Sequence, residues 1–248
     1  VDQNVGRVVE RLRERGVLDD TLILFFADNG SSGEVDLFGS GWPDYKRENY
    51  ADWRTLGGWS ISQGQCWASC SNAPLQKYKI FTHEGGISSA FIAHWPKGIR
   101  EPGRLETGQI HHLIDIMPTL CEIAGADYPA QFDGNAIHPM QGQSLVPVFE
   151  NRETGDERTL YWQHETHAAI RKGNWKLVTS NDRDPTAWEL YDFSGDRSES
   201  EEDNLAEACP ERRDALLAEW NQWATVTGVF PYPENGGTLR RIPWPPEA

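Results

Sequence analysis

Val5, Val8, Val9 and Leu12 recur at helical spacing with Arg and Glu between them, which predicts an amphipathic helix closing at Gly16. A turn, Asp19-Asp20-Thr21, separates it from residues 22–27 (LILFFA), apolar at every position and stopped by Asp28-Asn29-Gly30. A run without polar alternation is the pattern of a strand buried on both faces. Helix followed by such a strand predicts an αβ step in a mostly parallel sheet. Residues 88–95 read as a second buried strand, halted by Pro96. Residues 113–124 read as a helix closed by Gly125, with Pro118 requiring a kink or a helix start. After about Gln143 the pieces shorten: 159–164, 168–170, 175–179 and 188–192 are strand-like, and Arg171-Lys172-Gly173-Asn174 is a hairpin turn. Pro210 opens a helix with Leu216, Leu217, Trp220 and Trp223 on one side.

Between these patterned stretches lie others without a period. Residues 31–77 are rich in Gly, Ser, Trp and Asp. A stretch of that length inside a domain is functional or unstructured, and Trp42, Trp53, Trp59 and Trp67 favour an ordered, packed loop. Residues 199–203 are acidic and read as a solvated loop; from Phe230 onward, Pro and Gly suggest a tail packed on the surface. Two domains are expected, 1–145 in α/β style and 146–248 as an antiparallel sheet with one helix and a tail.

Composition narrows the function classes. The chain has 248 residues and a net charge of −15, which excludes the basic face that nucleic acid requires. Its longest apolar run is far too short to span a bilayer. An anionic substrate would need local positive charge, from a metal, from Lys or Arg, or from both. Cys66 and Cys70 have no His or Cys cluster nearby to complete a zinc site; a disulfide and two free thiols remain equally open.

Two short segments carry chemistry. Asp28 and Asn29, at the C-terminal end of a buried strand, offer two hard oxygen ligands suited to calcium or magnesium; the same tripeptide is also a favoured turn. In residues 79–86 (KIFTHEGG), Lys79, His83 and Glu84 fall beside a Gly-Gly that lets backbone approach a ligand. A lysine can neutralise an anionic oxygen and protonate a leaving group. The competing reading is a solvated charged loop.

Taken in order, Asp28-Asn29-Gly30, Asn72-Ala73-Pro74-Leu75, Lys79 with Glu84-Gly85-Gly86, Ile92-Ala93-His94-Trp95-Pro96 and Asp115-Ile116-Met117-Pro118-Thr119-Leu120 resemble the type I sulfatases, bacterial arylsulfatases in particular. Trp162-Gln163-His164-Glu165, residues 171–177 and Glu189-Leu190-Tyr191-Asp192 resemble that family's C-terminal subdomain. The resemblance implies part of an alkaline-phosphatase-like α/β sandwich followed by a small antiparallel sheet with a C-terminal helix. It implies Asp28 and Asn29 as Ca2+ ligands, Lys79 as the lysine on the sulfate and leaving-group oxygen, and residues 84–86 as the loop that holds it. His83 falls at a position that varies in the family and stands as a catalytic candidate on its own chemistry. His164 lies in the subdomain that approaches the family's active-site mouth and is a candidate substrate contact, the alternative being packing.

The implied activity is hydrolysis of a small-molecule or saccharide sulfate ester. A formylglycine hydrate attacks sulfur while calcium and cationic side chains stabilise the sulfuryl oxygens. The formylglycine motif (Cys or Ser, any residue, Pro or Ala, any residue, Arg) does not occur in the chain; residues 66–70 (CWASC) come nearest but end in Cys. The nucleophile and the other calcium carboxylates are therefore expected upstream of Val1, and the chain by itself is expected to be inactive. The family also implies export, to the periplasm or outside the cell. The rival readings are a phosphodiesterase or phosphonate monoester hydrolase of the same superfamily, and a non-catalytic pseudo-sulfatase.

Overall fold

The computed structural model describes residues 1–33, 37, 63–152, 158–182, 184 and 186–230. In chain order the helices are α1 (Asp2–Glu14), α2 (Gly64–Asn72), α3 (Glu84–Ile87), α4 (Ile116–Ala124), α5 (Val146–Phe149) and α6 (Pro210–Val226). The strands are β1 (Ile23–Phe26), β2 (Phe91–His94), β3 (Gln131–Phe132), β4 (Asn135–Ala136), β5 (Thr159–His164), β6 (His167–Lys172), β7 (Trp175–Thr179) and β8 (Trp188–Asp192). They group into two compact units, Val1–Phe26 with Ala90–Asp156, and Ala27–Ser89 with Glu157–Ala248. No described helix is long and apolar enough to cross a membrane.

In the first unit, α1 half-buries Val5, Val9 and Leu12 and leaves Val8 exposed. Gly16, at φ 68°, takes the left-handed conformation that ends the helix, and Val17 N–H returns to the Leu12 carbonyl. The expected parallel sheet is not what β1 forms. β1 and β2 pair antiparallel, from Ile23 opposite His94 to Phe26 opposite Phe91, and the Phe26 and Phe91 rings stack at 5.5 Å. Nor is β1 covered on both faces within this unit, since Phe25 and Ile92 are 46% and 58% exposed. An apolar run reports the surroundings a strand favours, but it carries no information about a partner's direction.

Asp115 and Thr119 explain the polar positions of the 115–120 block. Both are buried. The Asp115 carboxylate accepts from His112 N–H at 2.8 Å and Gln143 N–H at 2.9 Å. The Thr119 hydroxyl donates to the Asp115 carbonyl and accepts from Leu145 N–H at 2.8 Å. Two side chains thus satisfy the backbone entering α4 and the backbone entering α5. Pro118 sits in the first turn of α4, where its missing N–H costs nothing, and Gly125 caps the end at φ 61°.

The second unit is built on an antiparallel sheet in the order β5-β6-β7-β8, with the hairpin predicted at Gly173-Asn174 joining β6 to β7. The α6 residues Leu216, Trp220 and Ala224, spaced four apart, bury against Ala168, Ile170, Leu177, Trp188 and Leu190. Trp223 stacks on Tyr161 at 5.0 Å and Trp220 meets Trp188 edge-on at 5.3 Å. Within the aperiodic 31–77 stretch, residues 64–72 are helical. Trp67 on that helix is exposed and anchors no packed loop, while Trp42, Trp53, Trp59 and the tail beyond Phe230 lie outside the described residues. Cys66 and Cys70 are free thiols four residues apart on α2. Residues 201–203 form an exposed turn of 3-10 helix, but Glu199 is fully buried, against the expectation of a solvated acidic loop.

Thr119→Val keeps the side-chain shape but strands a buried Leu145 N–H. It is expected to lower unfolding free energy by about 1–3 kcal/mol, read as a fall in the urea midpoint at unchanged m-value.

Candidate active site

The chain leaves β1 through Ala27 into Asp28, exposed, and Asn29, half-buried. Asn29 Nδ2 donates to the Gly30 carbonyl at 2.9 Å, so Oδ1 is the end of the amide left to ligate. Gly30 then packs onto the glycine turn of residues 84–86. Its N–H donates to the Gly86 carbonyl at 2.9 Å, and a Cβ at Gly30 would collide with the Gly85 carbonyl. One residue on, the Ser31 carbonyl accepts from Lys79 N–H at 3.0 Å. The Asp-Asn segment and the lysine loop are thus joined through their backbones.

Asn72, the last residue of α2, completes the join. Its Oδ1 accepts from Ser31 N–H at 3.1 Å, and its Nδ2 donates to the Lys77 and Gly85 carbonyls at 3.0 and 2.8 Å. One carboxamide thereby satisfies the metal-candidate segment, the lysine loop and the glycine turn together. The loop needs such support. Lys77 and Ile80 sit at φ 65° and 93°, on either side of the half-buried Lys79, and a β-branched residue in that region is a true outlier. Gly85 and Gly86 admit the loop's backbone, because a Cβ on either would collide with the carbonyls of Gln76, Lys77 or Phe81.

Glu84 anchors the turn from below. Its carboxylate receives Lys176 Nζ of β7 at 2.9 Å and the Arg197 guanidinium, with Arg171 at 4.0 Å. Burial alone would push the Glu84 carboxyl up, but Lys176 and Arg197 overcome it and hold it down to about 2. Glu199 Oε2 accepts from Glu84 N–H at 2.6 Å, and its Oε1 lies 2.7 Å from Lys176 Nζ, an ion-pair distance without hydrogen-bond alignment. The Glu199 carboxyl is raised: burial outweighs the pull of Lys176 and His83. Residues 83–86 are therefore interior, not a solvated charged loop.

His83 is fully buried, its Nε2 3.4 Å from Glu189 Oε2 and its Nδ1 without a hydrogen-bond partner. His164 is exposed at the end of β5, in register with His167 across the turn. The His167 ring meets the Phe81 ring at 4.5 Å, which sets this turn beside the loop bearing Lys79 and His83. Burial lowers the His167 pKa, Glu165 opposes, and His164 and His83 add to the depression. The structure thus brings Asp28, Asn29 and Lys79 together along one cross-linked backbone, places His83 beneath the loop and leaves His164 at its side. Among the described residues, no group of three or more His, Cys, Asp or Glu could hold a metal. Asp28 and Asn29 are hard-oxygen donors suited to calcium, but they supply two of the roughly six to eight oxygens it takes.

The family model Sulfatase matches residues 1–126, and the model N-sulphoglucosamine sulphohydrolase, C-terminal, matches residues 77–213. The chain belongs to the sulfatase family. An uncharacterized sulfatase of Schizosaccharomyces pombe is 30% identical over 95% of this chain and 43% of its own length. The N-acetylglucosamine-6-O-sulfatase of Bacteroides thetaiotaomicron is 28% identical over 80% of this chain and 29% of its own. The chain therefore spans less than half the length of these relatives. A solved structure of an enzyme in complex with its substrate D-glucosamine-2-N,6-O-disulfate superposes with a TM-score of 0.59 at 20% identity, over 96% of this chain and 40% of that one. The fold is accordingly a part of the alkaline-phosphatase-like α/β fold of sulfatases, with its small antiparallel sheet and C-terminal helix.

Two outcomes follow for this sulfatase chain. Asn72→Asp replaces a donor with a carboxylate facing two carbonyls. It is expected to cost about 2–3 kcal/mol and to speed amide exchange at Ser31 and Gly85. The folded Glu84 value, about 2, lies below the ordinary 4.5, so its stabilisation is complete above pH 4.5 and is lost as pH falls through about 2. Glu84→Gln should flatten the parent's stability-versus-pH curve across that window, as measured by urea midpoints.

Proposed function

We propose that this chain forms part of the active site of a sulfatase that hydrolyses sulfate esters carried on a sugar, with the nucleophile on residues outside the chain. The observation that supports it most is the cross-linked corner itself: Gly30 on Gly86, Lys79 on Ser31, and Asn72 on both. Two candidate oxygen ligands and a lysine lie on adjoining backbone segments, which suits a tetrahedral anionic group, such as the sulfuryl group of a sulfate ester, presented to a metal and a cation at once. The saccharide part of the proposal rests on the C-terminal family model and on the N-acetylglucosamine-6-O-sulfatase relative.

In this reading Asp28 and Asn29 give oxygens to a calcium ion. Bound there, calcium would supply Lewis-acid charge at the sulfuryl oxygens, and a formylglycine hydrate would supply the nucleophilic oxygen. The chain's own residues do the rest. Lys79 places its ammonium on the sulfuryl group and on the bridging oxygen as negative charge develops there, neutralising it or giving it a proton. His164, exposed on the β5–β6 turn, contacts the alcohol part of the substrate. His83 supports the loop from its buried position against Glu189. Local cations answer the net charge of −15, which would otherwise repel an anionic substrate.

The test uses the full-length protein containing this chain, assayed on glucosamine 6-sulfate, 4-nitrophenyl sulfate and 4-nitrophenyl phosphate with and without a calcium chelator. Sulfate esters should be preferred and chelation should abolish turnover. Lys79→Ala should lower kcat on glucosamine 6-sulfate by about 100- to 1000-fold with the urea midpoint unchanged. Asp28→Ala should raise the calcium concentration needed for half-activity. Normal turnover by Lys79→Ala would refute the site. A faster phosphate ester would move the chain to the phosphoesterase reading.

A further inference from the structure

We infer that Lys176, a residue of the C-terminal sheet remote in sequence from the motif, is a positioning residue for Lys79, acting through Glu84 and Glu199. The inference rests on the reading of Lys79 as the lysine at the sulfate and leaving-group oxygen.

Lys176 lies mid-strand in β7, in register with Arg171 on one side and Tyr191 on the other, and is 0% exposed. Burying an ammonium costs several kcal/mol unless it is well paired. For stability alone, an apolar side chain of the same length serves as well or better. What the ammonium supplies is direction. It meets Glu84 Oε1 at 2.9 Å and Glu199 Oε1 at 2.7 Å, so two carboxylates 115 residues apart in sequence are drawn to one point. Arg171 and Arg197 flank the pair, and all three cations lie over the Phe193 ring, at 4.9, 5.8 and 5.9 Å for Arg171, Lys176 and Arg197.

Glu199 sits at φ 58°, a left-handed conformation that is strained for a non-glycine residue. Its second oxygen accepts from Glu84 N–H at 2.6 Å, while the neighbouring Ser198 carbonyl accepts from Gln76 N–H at 3.2 Å. Glu84 is thus fixed through both its carboxylate and its backbone. Gly85, next in the chain, donates to the Gln76 carbonyl at 2.8 Å, and the carbonyls of Gln76, Lys77 and Phe81 press on Gly85 and Gly86. The path from the sheet to Lys79 is therefore continuous: Lys176, Glu84, the glycine turn, and the strained backbone of residues 77–80. A loop with two positive φ angles beside its key residue relaxes when its floor is released, and a displacement near 1 Å costs a reacting group about 100-fold.

The experiment compares Lys176→Met, the charge-balanced pair Lys176→Met with Glu199→Gln, and Lys79→Ala, all in the full-length protein. The paired change removes one positive and one negative charge, so it keeps a folded sample if the single change does not. Each is assayed on glucosamine 6-sulfate, an alkyl ester whose leaving oxygen needs help, and on 4-nitrophenyl sulfate, whose leaving oxygen does not. The charge-balanced variant should lose about 100-fold in kcat on the sugar sulfate with KM little changed, and less than about threefold on the nitrophenyl ester. A merely structural ion pair would lower both substrates equally, by shrinking the active fraction. Equal losses, no loss on either substrate, or failure of both Lys176 variants to fold overturns the inference. If Lys79→Ala shows the leaving-group dependence and the Lys176 variants do not, positioning fails and the site reading stands. If Lys79→Ala itself loses nothing, the site reading fails first.

Discussion

Glu84 holds a negative charge inside the protein, and a buried carboxylate persists there only where cations and hydrogen-bond donors replace the water it has lost. Lys176, Arg197 and, at longer range, Arg171 do so here, and the Glu84 N–H is in turn taken up by Glu199. Everything around the lysine loop depends on that arrangement. With Glu84 fixed, Gly85 and Gly86 have one place to go, and the loop above them is shaped by contact with their backbone. Apolar packing would tolerate sliding by a few tenths of an ångström; two carboxylates converging on one ammonium tolerate far less.

The same economy of contacts joins the Asp-Asn segment to the loop. A strand end and a loop are separated by about fifty residues of sequence, yet Asn72 uses its acceptor and both of its donor bonds to connect them. No packing of side chains is needed at this corner, because the glycines let the backbones touch. The corner's backbone groups are thus satisfied among themselves, and Asp28, Asn29 and Lys79 lie on the segments it joins. The close backbone approach is also why a Cβ at Gly30, Gly85 or Gly86 cannot be accommodated.

Much of the second unit was legible because one rule governs it. Strands 159–164, 175–179 and 188–192 appear as read, and of the residues read on one side of α6, Leu216 and Trp220 are buried while Leu217 and Trp223 are half-buried. Where two rules compete, the reading failed. An unbroken apolar run implied parallel pairing for β1, but burial preference is blind to strand direction, and β2 runs antiparallel. Residues 64–72 are rich in Gly, Ser and Cys and carry no helical period, so α2 went unseen. Ordered motifs put Asp28, Asn29 and Lys79 forward as candidates; they could not reveal the contacts that join their backbones. Asn72 stood inside a recognised block without a role, since its partners are 41, 5 and 13 residues away. Lys176 likewise stands inside a recognised block without a role, and Glu199 reads as part of a solvated acidic run. Only the three-dimensional pairing of opposite charges gives Lys176 its partners and buries Glu199.

The charge distribution gives this pairing its sense. A chain of net charge −15 could bury a carboxylate cheaply only by collecting its scarce cations, and it collects three of them beneath one turn. Burial raises both carboxyls and Lys176 pulls both down, yet burial outweighs it at Glu199 and not at Glu84, so one is raised and the other lowered. Two carboxylates so close to one cation titrate as a pair, and, against burial, Lys176 and Arg197 hold the Glu84 carboxyl well below the ordinary carboxylate range. The turn under Lys79 therefore keeps its Lys176–Glu84 ion pair down to a pH at which an unpaired buried carboxylate would already have been neutralised.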